Sequence, residues 1–329
     1  MTGGKIEGLF DKFNGLRCLI IGDVMVDSYI WGVVNRMSPE APVPVFEVEK
    51  RENRLGGAAN VALNIQSLGA VPILCGVVGS DAKGEVFRSL LDDLQLTTEG
   101  IVSDGTRSTT SKTRIISTPD HMMRVDEEVV TAVSHQVAEN LLAFVKSQIL
   151  QGIDVVIFED YDKGVLSEEL IQKVIAIAKQ DGIPTCVDPK KNNFNSYQGA
   201  TLFKPNFKEF TEGLDTKIEK DDFDQVVTLG KKFVEDENIT QLLITLSEHG
   251  MIILDRVEKH HLLALKRNIL DVSGAGDTVI STAALALAAG CDAETVAILA
   301  NLAGGIVCEK VGVVPISRQV LMREYNTLY

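Results

Sequence analysis

Residues 271–278 read Asp-Val-Ser-Gly-Ala-Gly-Asp-Thr, and an alanine-rich apolar stretch follows directly. Gly274, Ala275 and Gly276 are small enough for a tight turn, so that successive backbone N–H groups point outward where the next helix begins. This arrangement predicts an anion site at a helix N-terminus. The residues alone leave two interpretations of Asp277 open. It either takes a proton from a hydroxyl that attacks a phosphoryl group, or it caps the helix dipole as an ordinary N-terminal aspartate.

On either side of this motif, short β-branched segments alternate with longer segments of 3.6-residue periodicity. Strands are predicted at 17–22, 71–78, 155–159, 185–188, 242–245 and 251–254. Helices are predicted at 60–68, 83–94, 134–151, 167–180 and 222–237, with alanine-rich helices near 276–290 and 292–309. Nearly all the strands are apolar throughout, which is typical of strands covered on both faces. The pattern predicts an α/β fold with a mostly parallel central sheet built from right-handed βαβ units.

Two segments interrupt this alternation, at about 29–54 and about 106–126. The first holds three prolines around a predicted strand, and the second contains the alternating sequences SKTRIIS and HMMRVD. Both predict antiparallel strands that leave the main sheet and form a small β-flap. Ligands of α/β sheets bind beyond the carboxyl ends of the strands, so a flap there would serve as a lid. The alternative is a surface hairpin without a gating role.

Four of the predicted strands end in polar loops, at 22–27, 159–164, 188–190 and 245–250. Because these strand ends share one edge of the sheet, their coincidence predicts a ligand site there. Gly56, Gly57 and Asn60 open a helix, where small residues allow a ligand to approach the backbone; alternatively, the glycines serve packing alone. Asn60 offers a donor and an acceptor to sugar hydroxyls. Asn206 and Glu209 have the spacing to orient Mg²⁺-bound water and nucleotide phosphates, although a lone N-x-x-E pattern is common.

Composition and missing motifs exclude several classes of protein. The chain has 329 residues, 45% of them hydrophobic, and a formal net charge of −14. The acidic excess argues against a nucleic-acid partner, and no apolar run reaches the ~20 residues of a membrane span. Five scattered cysteines and the lack of a visible signal peptide predict a cytoplasmic protein with reduced thiols. Motifs of P-loop enzymes, protein kinases, zinc sites and dinucleotide-binding turns are missing.

With these motifs in order, the sequence resembles the ribokinase-like (PfkB) carbohydrate kinases along essentially its whole length. GGAANVALNIQSLGA at 56–70 is similar to the first signature of that family, and DVSGAGDT is similar to the second. The resemblance implies a single three-layer α/β/α kinase domain over 1–329 with a β-flap lid, using ATP and Mg²⁺, and it suggests a monovalent cation. It implies that Asp277 is the catalytic base and that Gly274, Ala275 and Gly276 form the anion hole. The implied Mg²⁺ and nucleotide residues are Asn206 and Glu209, acting through water, and Thr245, Ser247, Glu248, Gly250 and Asn301.

Within that family, the phrases SPEAPVPV, DYDKG and KPNFKEF are most similar to the kinase domains of D-glycero-D-manno-heptose-7-phosphate kinases. This closer resemblance implies transfer of the ATP γ-phosphoryl group to the anomeric hydroxyl of the sugar phosphate, in the synthesis of ADP-heptose for lipopolysaccharide. Residues expected to hold the sugar are Asp23, Asp27, Gly56, Gly57, Asn60 and Asp160. Candidates for its phosphate are Lys112, Arg114, Arg124, Lys163 and Lys190, and each is alternatively a solvated surface charge.

The resemblance also sets expectations about assembly and about departures from the family pattern. The best-known bifunctional members carry a second, nucleotidyl-transferring domain; this chain stops soon after 313–315, so that activity is expected to be absent. A homodimer through the β-flap is expected. Glu159 and Asp162 flank Asp160 where smaller residues are common, and Lys204 replaces an apolar or hydroxyl residue. The alternatives are a kinase for another sugar or a nucleoside, a non-catalytic sugar- or nucleotide-binding protein, and a dinucleotide-dependent oxidoreductase.

Overall fold

The structure is a computed structural model that describes residues 3–117 and 120–329. Its strands are β1 Arg17–Gly22, β2 Val24–Met37, β3 Pro44–Gly57, β4 Val71–Gly79, β5 Ile101–Asp104, β6 Ser111–Ser117, β7 Asp120–Glu127, β8 Val155–Glu159, β9 Thr185–Asp188, β10 Leu202–Phe203, β11 Gln241–Thr245, β12 Met251–Leu254 and β13 Lys259–Leu262. Its helices are α1 Gly3–Phe13, α2 Ala58–Ser67, α3 Ala82–Asp93, α4 His135–Leu150, α5 Glu168–Gln180, α6 Phe207–Gly213, α7 Phe223–Asp236, α8 Ala275–Ala288, α9 Ala293–Val307 and α10 Arg318–Leu328. Every predicted strand and helix is present, with its ends within two residues of the prediction.

The main sheet has nine strands in the order β13-β12-β11-β10-β9-β8-β1-β4-β5. Its pairs are parallel except β11 with β12 and β12 with β13, which are antiparallel at one edge. One apolar core joins the sheet to α1, α2, α3, α8, α9 and α10, and a second core joins the opposite face to α4, α5, α6 and α7. The predicted three-layer α/β/α architecture is confirmed. It explains why the strands are apolar throughout, since helices cover both faces of the sheet.

A second sheet of four strands, in the order β3-β2-β6-β7, stands apart from the main one. The predicted segments do form it, but the prediction of antiparallel strands is wrong for the central pair, because β2 and β6 run parallel. Strands β1 and β5 point the same way in the main sheet, and β2 and β6 follow them along the chain at its carboxyl edge. Two strands that leave the same edge in the same direction pair in parallel. We refer to this sheet as the flap.

Strand register places several polar residues side by side at the carboxyl edge of the main sheet. Gly22 at the end of β1 pairs with Glu159 at the end of β8, and Glu159 pairs with Asp188 at the end of β9. Lys204 follows β10 directly, and its backbone N–H donates to the carbonyl of Val187 over 2.8 Å. The N-terminus of α8 meets this edge: its Asp277 shares a carboxylate cluster with Glu159 and Asp188. The fold thus gathers parts of the chain that are distant in sequence.

Two properties of the chain bear on the sequence predictions. All five cysteines are free thiols, and burial raises the pKa of the thiols of Cys18, Cys75 and Cys186 above their ordinary value. This agrees with the prediction of unreactive, reduced cysteines. Among the helices of the described ranges, none has both the length and the apolar character that crossing a bilayer requires.

Candidate active site

Asp277 lies buried in the first turn of α8, with 5% of its surface exposed. Gly274 precedes the helix in the left-handed conformation, with φ +78°, which glycine adopts at no steric cost. Asn60 Nδ2 donates to one carboxylate oxygen of Asp277 over 2.6 Å, and the Tyr161 hydroxyl donates to the other over 2.8 Å. Burial raises the pKa of Asp277 above its ordinary value, against the lowering effect of the Asn60 hydrogen bond. A buried, oriented carboxylate beside a helix N-terminus is equipped to accept a proton from a bound hydroxyl.

Asn60 is held toward Asp277 by the glycines that precede α2. A β-carbon on Gly56 would overlap a carboxylate oxygen of Asp27. Gly57 has φ +59°, and a β-carbon there would overlap the backbone carbonyl oxygen of Asp23. The space beside both glycines is therefore filled by the protein itself. This favours the packing interpretation of Gly56 and Gly57, which position Asn60 and the flap strand β2.

A cluster of buried acidic side chains adjoins Asp277. Carboxylate oxygens of Glu159, Asp188 and Asp277 all lie within 4.8 Å of one another. Lys204 Nζ lies 2.8 Å from Asp188 Oδ2, whereas neither oxygen of Glu159 has a hydrogen-bond partner among the residues described. Burial, and then the charges of Asp188 and Asp277, raise the pKa of Glu159 well above its ordinary value. Three carboxyl groups lie beside one buried lysine in a region of low dielectric, which disfavours ionisation of all three at once.

Asn206 and Glu209, predicted to act on Mg²⁺ through water, form the N-terminal capping box of α6. The Asn206 side chain accepts from the Glu209 N–H over 2.9 Å, and Glu209 accepts from the Asn206 N–H over 2.8 Å. Lys190 also bonds to Glu209 and lies 3.8 Å from Asp188. An amide oxygen and a carboxylate oxygen each have two acceptor sites, so both residues retain capacity to accept hydrogen bonds from metal-bound water. The N-x-x-E pattern thus has a structural task in this chain, as a capping box, and its role toward Mg²⁺ stays a prediction.

Asp23 and Asp160 are predicted to hold sugar hydroxyls. Their carboxylate oxygens instead accept hydrogen bonds from the protein itself, in and around the loop that follows β8. Asp23 accepts from the N–H groups of Tyr161, Lys163 and Val165 over 2.8 to 3.2 Å. Asp160 is 1% exposed and accepts from Asn193, Tyr197 and the Asp162 N–H, each over 2.8 Å. Burial, and then the charge of Asp160, raise the pKa of Asp23 to about 6. These contacts favour a loop-holding role that places Tyr161 against Asp277.

The five cations predicted to bind a sugar phosphate all have carboxylate partners. Lys112 contacts Asp126 and Glu128, Arg114 contacts Asp27, Arg124 contacts Asp126, Lys163 contacts Glu128, and Lys190 contacts Asp188 and Glu209. Arg124 is the most exposed, with 59% of its side chain accessible. The Lys163–Glu128 contact, at 2.9 Å, joins the end of the flap to the loop after β8.

The predicted nucleotide residues lie at the end of β11, in the turn that follows it, and on α9. Thr245 ends β11, Ser247 has φ +53°, and Glu248 pairs with Lys220 over 3.0 Å. Gly250 has φ +82°, and a β-carbon there would overlap the carbonyl of Leu262 in β13. Asn301 on α9 donates from its side chain to the carbonyl of Leu263 over 2.9 Å. The end of β13 therefore lies against Gly250, and Leu263, the residue after it, lies against Asn301.

Two residues at the centre of the site lie outside the sequence prediction. Tyr161 touches Asp277, and Lys204 touches Asp188. Tyr161 follows Asp160 in a polar loop that the sequence places at the sheet edge, so a search of that loop for hydroxyl donors would find it. Lys204 stands out in the sequence as a departure from the family pattern, without a signal that assigns it a role in the site.

A buried carboxylate at a helix N-terminus, on the carboxyl edge of a doubly covered α/β sheet, is the arrangement expected of a phosphoryl-transfer enzyme. A family profile described as pfkB family carbohydrate kinase matches residues 16–319. The chain belongs to the pfkB family of carbohydrate kinases and is a phosphotransferase that acts on a sugar hydroxyl.

Comparisons with individual proteins agree with this assignment. The chain is 40% identical over 94% of its length to the bifunctional protein HldE of Desulfatibacillum aliphaticivorans, and 41% identical over 90% to that of Helicobacter pylori strain HPAG1. It spans 63% of the length of both relatives. Among solved structures, Escherichia coli phosphofructokinase-2 in complex with potassium has a TM-score of 0.77 at 18% identity, covering 96% of this chain and 99% of that one. Arabidopsis thaliana ribokinase complexed with ribose and ATP has a TM-score of 0.69 at 17% identity, covering 94% and 99%.

Proposed function

We propose that the protein transfers the γ-phosphoryl group of ATP to the anomeric hydroxyl of D-glycero-D-manno-heptose 7-phosphate, giving the 1,7-bisphosphate, a precursor of ADP-heptose. The observation that carries the kinase chemistry is the orientation of Asp277 by Asn60 and Tyr161 at the start of α8. The choice of sugar rests on the heptose-kinase phrases in the sequence and on the HldE relatives.

In this mechanism, Asp277 accepts the proton of the anomeric hydroxyl while its oxygen attacks the γ-phosphorus. A new oxygen–phosphorus bond forms, the bond to the bridging oxygen of ATP breaks, and ADP leaves. The backbone N–H groups of 274–276, at the positive end of the α8 dipole, stabilise the negative charge on the transferred group. Asn60 and Tyr161 keep the carboxylate in one orientation throughout.

We further propose that Mg²⁺ is held through water by Asn206 and Glu209, whose oxygen donors suit a hard cation. When bound, Mg²⁺ neutralises charge on the phosphates of ATP. A monovalent cation is a further proposed cofactor, supported by the potassium complex of the E. coli phosphofructokinase-2 structure. Thr245, Ser247, Glu248, Gly250 and Asn301 are proposed to adjoin the nucleotide.

The flap is proposed to be a lid that excludes water from the reaction, and to form the interface of a homodimer. Support comes from its position beyond the carboxyl edge and from exposed apolar side chains on it, including Met37, Val48 and Met123. We propose that residues 1–329 form one kinase domain. Free, buried thiols support a reducing compartment, which we propose is the cytoplasm.

One observation favours a second candidate, a kinase for an unphosphorylated sugar or a nucleoside. Every cation predicted to bind the sugar phosphate already has a carboxylate partner. Binding of a phosphate would have to share or displace those partners, whereas a neutral sugar would not.

ATP consumption across a panel of acceptors separates the two candidates. The panel is the heptose with and without its 7-phosphate, hexose 6-phosphates, pentoses and adenosine, and Asp277→Asn serves as the blank for contaminating kinases. We expect kcat/KM to be highest for heptose 7-phosphate and its product to carry two phosphate groups by ³¹P NMR. A higher kcat/KM for an unphosphorylated sugar or for adenosine would contradict the heptose proposal.

A further inference from the structure

Lys204 is a buried cation beside the anion-binding turn, and the mechanism above gives it no task. Its side chain is 3% exposed, and its Nζ lies 2.8 Å from Asp188 Oδ2. Burial acts to lower the pKa of Lys204, but the negative charges of Asp188 and Glu209 outweigh it, so the pKa lies above its ordinary value. Lys204 is therefore a buried amine paired with a carboxylate at the carboxyl edge of the main sheet.

Stability alone does not account for this lysine. A buried ion pair costs desolvation that an apolar pair of similar volume avoids, so such pairs are weak contributors to stability. An ammonium group has three N–H donors, and Asp188 is the partner that the described part of the chain supplies to Nζ. The remaining donors are available to a ligand.

The position of Gly276 relates Lys204 to the turn at the start of α8. A β-carbon built on Gly276 would lie 3.7 Å from Lys204 Nζ and 3.5 Å from Asp188 Oδ2. Gly276 carries no side chain, so the ammonium group lies directly against the turn whose N–H groups are proposed above to stabilise the transferred phosphoryl group. Asp277, the next residue, receives the proton in the same step. The other lysine near this cluster, Lys190, is bonded to Glu209 and has 28% of its side chain exposed, so Lys204 is the more deeply buried of the two.

We propose that Lys204 is a catalytic residue that donates hydrogen bonds to the γ-phosphoryl group of ATP. Asp188 holds its side chain in place, and Gly276 leaves the space through which it reaches the phosphate. The charge it neutralises is present on the γ-phosphoryl group before and during transfer, and Lys204 keeps its proton throughout. This inference rests on ATP as the phosphoryl donor, and it is independent of which sugar accepts the group.

Nucleotide binding without sugar tests the contact directly. Calorimetry with Mg²⁺ compares ADP with a non-hydrolysable ATP analogue that carries a γ-phosphoryl group, in the wild-type protein and in Lys204→Met. We expect Lys204→Met to weaken binding of the analogue about tenfold or more, as for a lost hydrogen bond to a charged group, and to leave ADP binding within about twofold. An equal effect on both nucleotides, or no effect on either, would overturn the proposal.

Two further variants keep the test valid if Lys204→Met does not fold with Asp188 unpaired. The double variant Lys204→Met/Asp188→Asn removes both charges, and Asp188→Asn alone gives its reference. The quantity compared is the ratio of affinity for the ATP analogue to affinity for ADP. We expect Asp188→Asn to keep a ratio in favour of the analogue and the double variant to lose it. Equal ratios in the two variants would reject the contact. Lys208→Met, at a lysine of α6 with an 80% exposed side chain, is the matched control. Failure of every sugar to turn over would reject the proposed function and leave this binding test unaffected.

Discussion

Asn60 Nδ2 donates a 2.6 Å hydrogen bond to Asp277 Oδ2, and this contact joins residues 217 positions apart in the sequence. It connects the third residue of α2 with the third residue of α8, the two helices that begin at the glycine-containing motifs. The contact fixes the orientation of the carboxylate. It also stabilises the charged form of Asp277, which is the form that accepts a proton.

The first prediction concerns the pH dependence of activity. Replacing Asn60 with Ala removes a donor that lowers the pKa of Asp277, so that pKa rises further above its ordinary value. Since the ionised carboxylate is the active form, the acid limb of the kcat/KM profile should move to higher pH by about one unit. Profiles measured from pH 4 to pH 9 check this, with Asn140→Ala on the exposed face of α4 as control. A profile that keeps its acid limb would show that Asn60 does not tune the base.

The second prediction concerns the base itself. Asp277→Asn keeps the size of the side chain but cannot accept the proton, so kcat should fall by about 10³-fold. ATP affinity should change little, because the backbone N–H groups of the turn are intact. Steady-state kinetics and calorimetry measure the two quantities separately. Retention of most of the wild-type turnover would refute the assignment of Asp277 as base.

Much of the fold could be predicted from the sequence because its signals are local. Apolar strands and periodic helices indicate their own burial, and the glycine-containing motif stands directly at the start of its helix, with Gly274 before Ala275. The parallel pairing of β2 with β6 could not be predicted, because it depends on the direction in which two distant strands leave the main sheet.

The sequence predicts the turn at the start of α8, but it does not predict the side-chain contacts around Asp277. Tyr161 and Asp277 are 116 residues apart, and Asp23 holds the loop that brings Tyr161 to Asp277. Asp23 and Asp160 were predicted to hold hydroxyls because a carboxylate in a loop suggests a ligand contact. Sequence alone does not show that backbone N–H groups already occupy those oxygens.

The third prediction concerns stability against pH at Glu159. Its carboxyl has a pKa raised well above the ordinary value in the folded protein, so the native state binds more protons than the unfolded state over that interval. Stability therefore falls as pH rises toward the native pKa, because unfolding lets the carboxyl ionise in water while burial keeps it protonated in the native state. Glu159→Gln does not titrate and should exceed the wild type in free energy of unfolding at pH 8 by about 1 kcal/mol or more.

Urea denaturation at pH 5 and pH 8 measures this difference. The advantage of Glu159→Gln should shrink at pH 5, where more of the wild-type carboxyl is protonated. Glu235→Gln, on the exposed surface of α7, should show no such dependence on pH. An advantage of equal size at both pH values would contradict a titration at Glu159.

The fourth prediction concerns the strand contact that supports the site. A β-carbon on Gly22 would overlap the carbonyl oxygen of Glu159, its register partner in β8. That carbonyl accepts the Asp23 N–H over 3.0 Å, so it cannot turn away without losing a buried hydrogen bond. Gly22→Ala should therefore force β1 and β8 apart and lower the free energy of unfolding by about 2 kcal/mol or more.

Displacement of β8 would also move the loop that carries Tyr161, so kcat should fall together with stability. The matched control is Gly8→Ala in α1, where a β-carbon meets nothing within 4 Å. An alanine in a helix is favoured over glycine, so this control should gain about 0.5–1 kcal/mol and keep its activity. Urea denaturation and initial rates at one ATP concentration compare the two variants. If Gly22→Ala has the same urea midpoint as the wild type, β1 and β8 can accommodate a β-carbon at this position and the prediction is wrong.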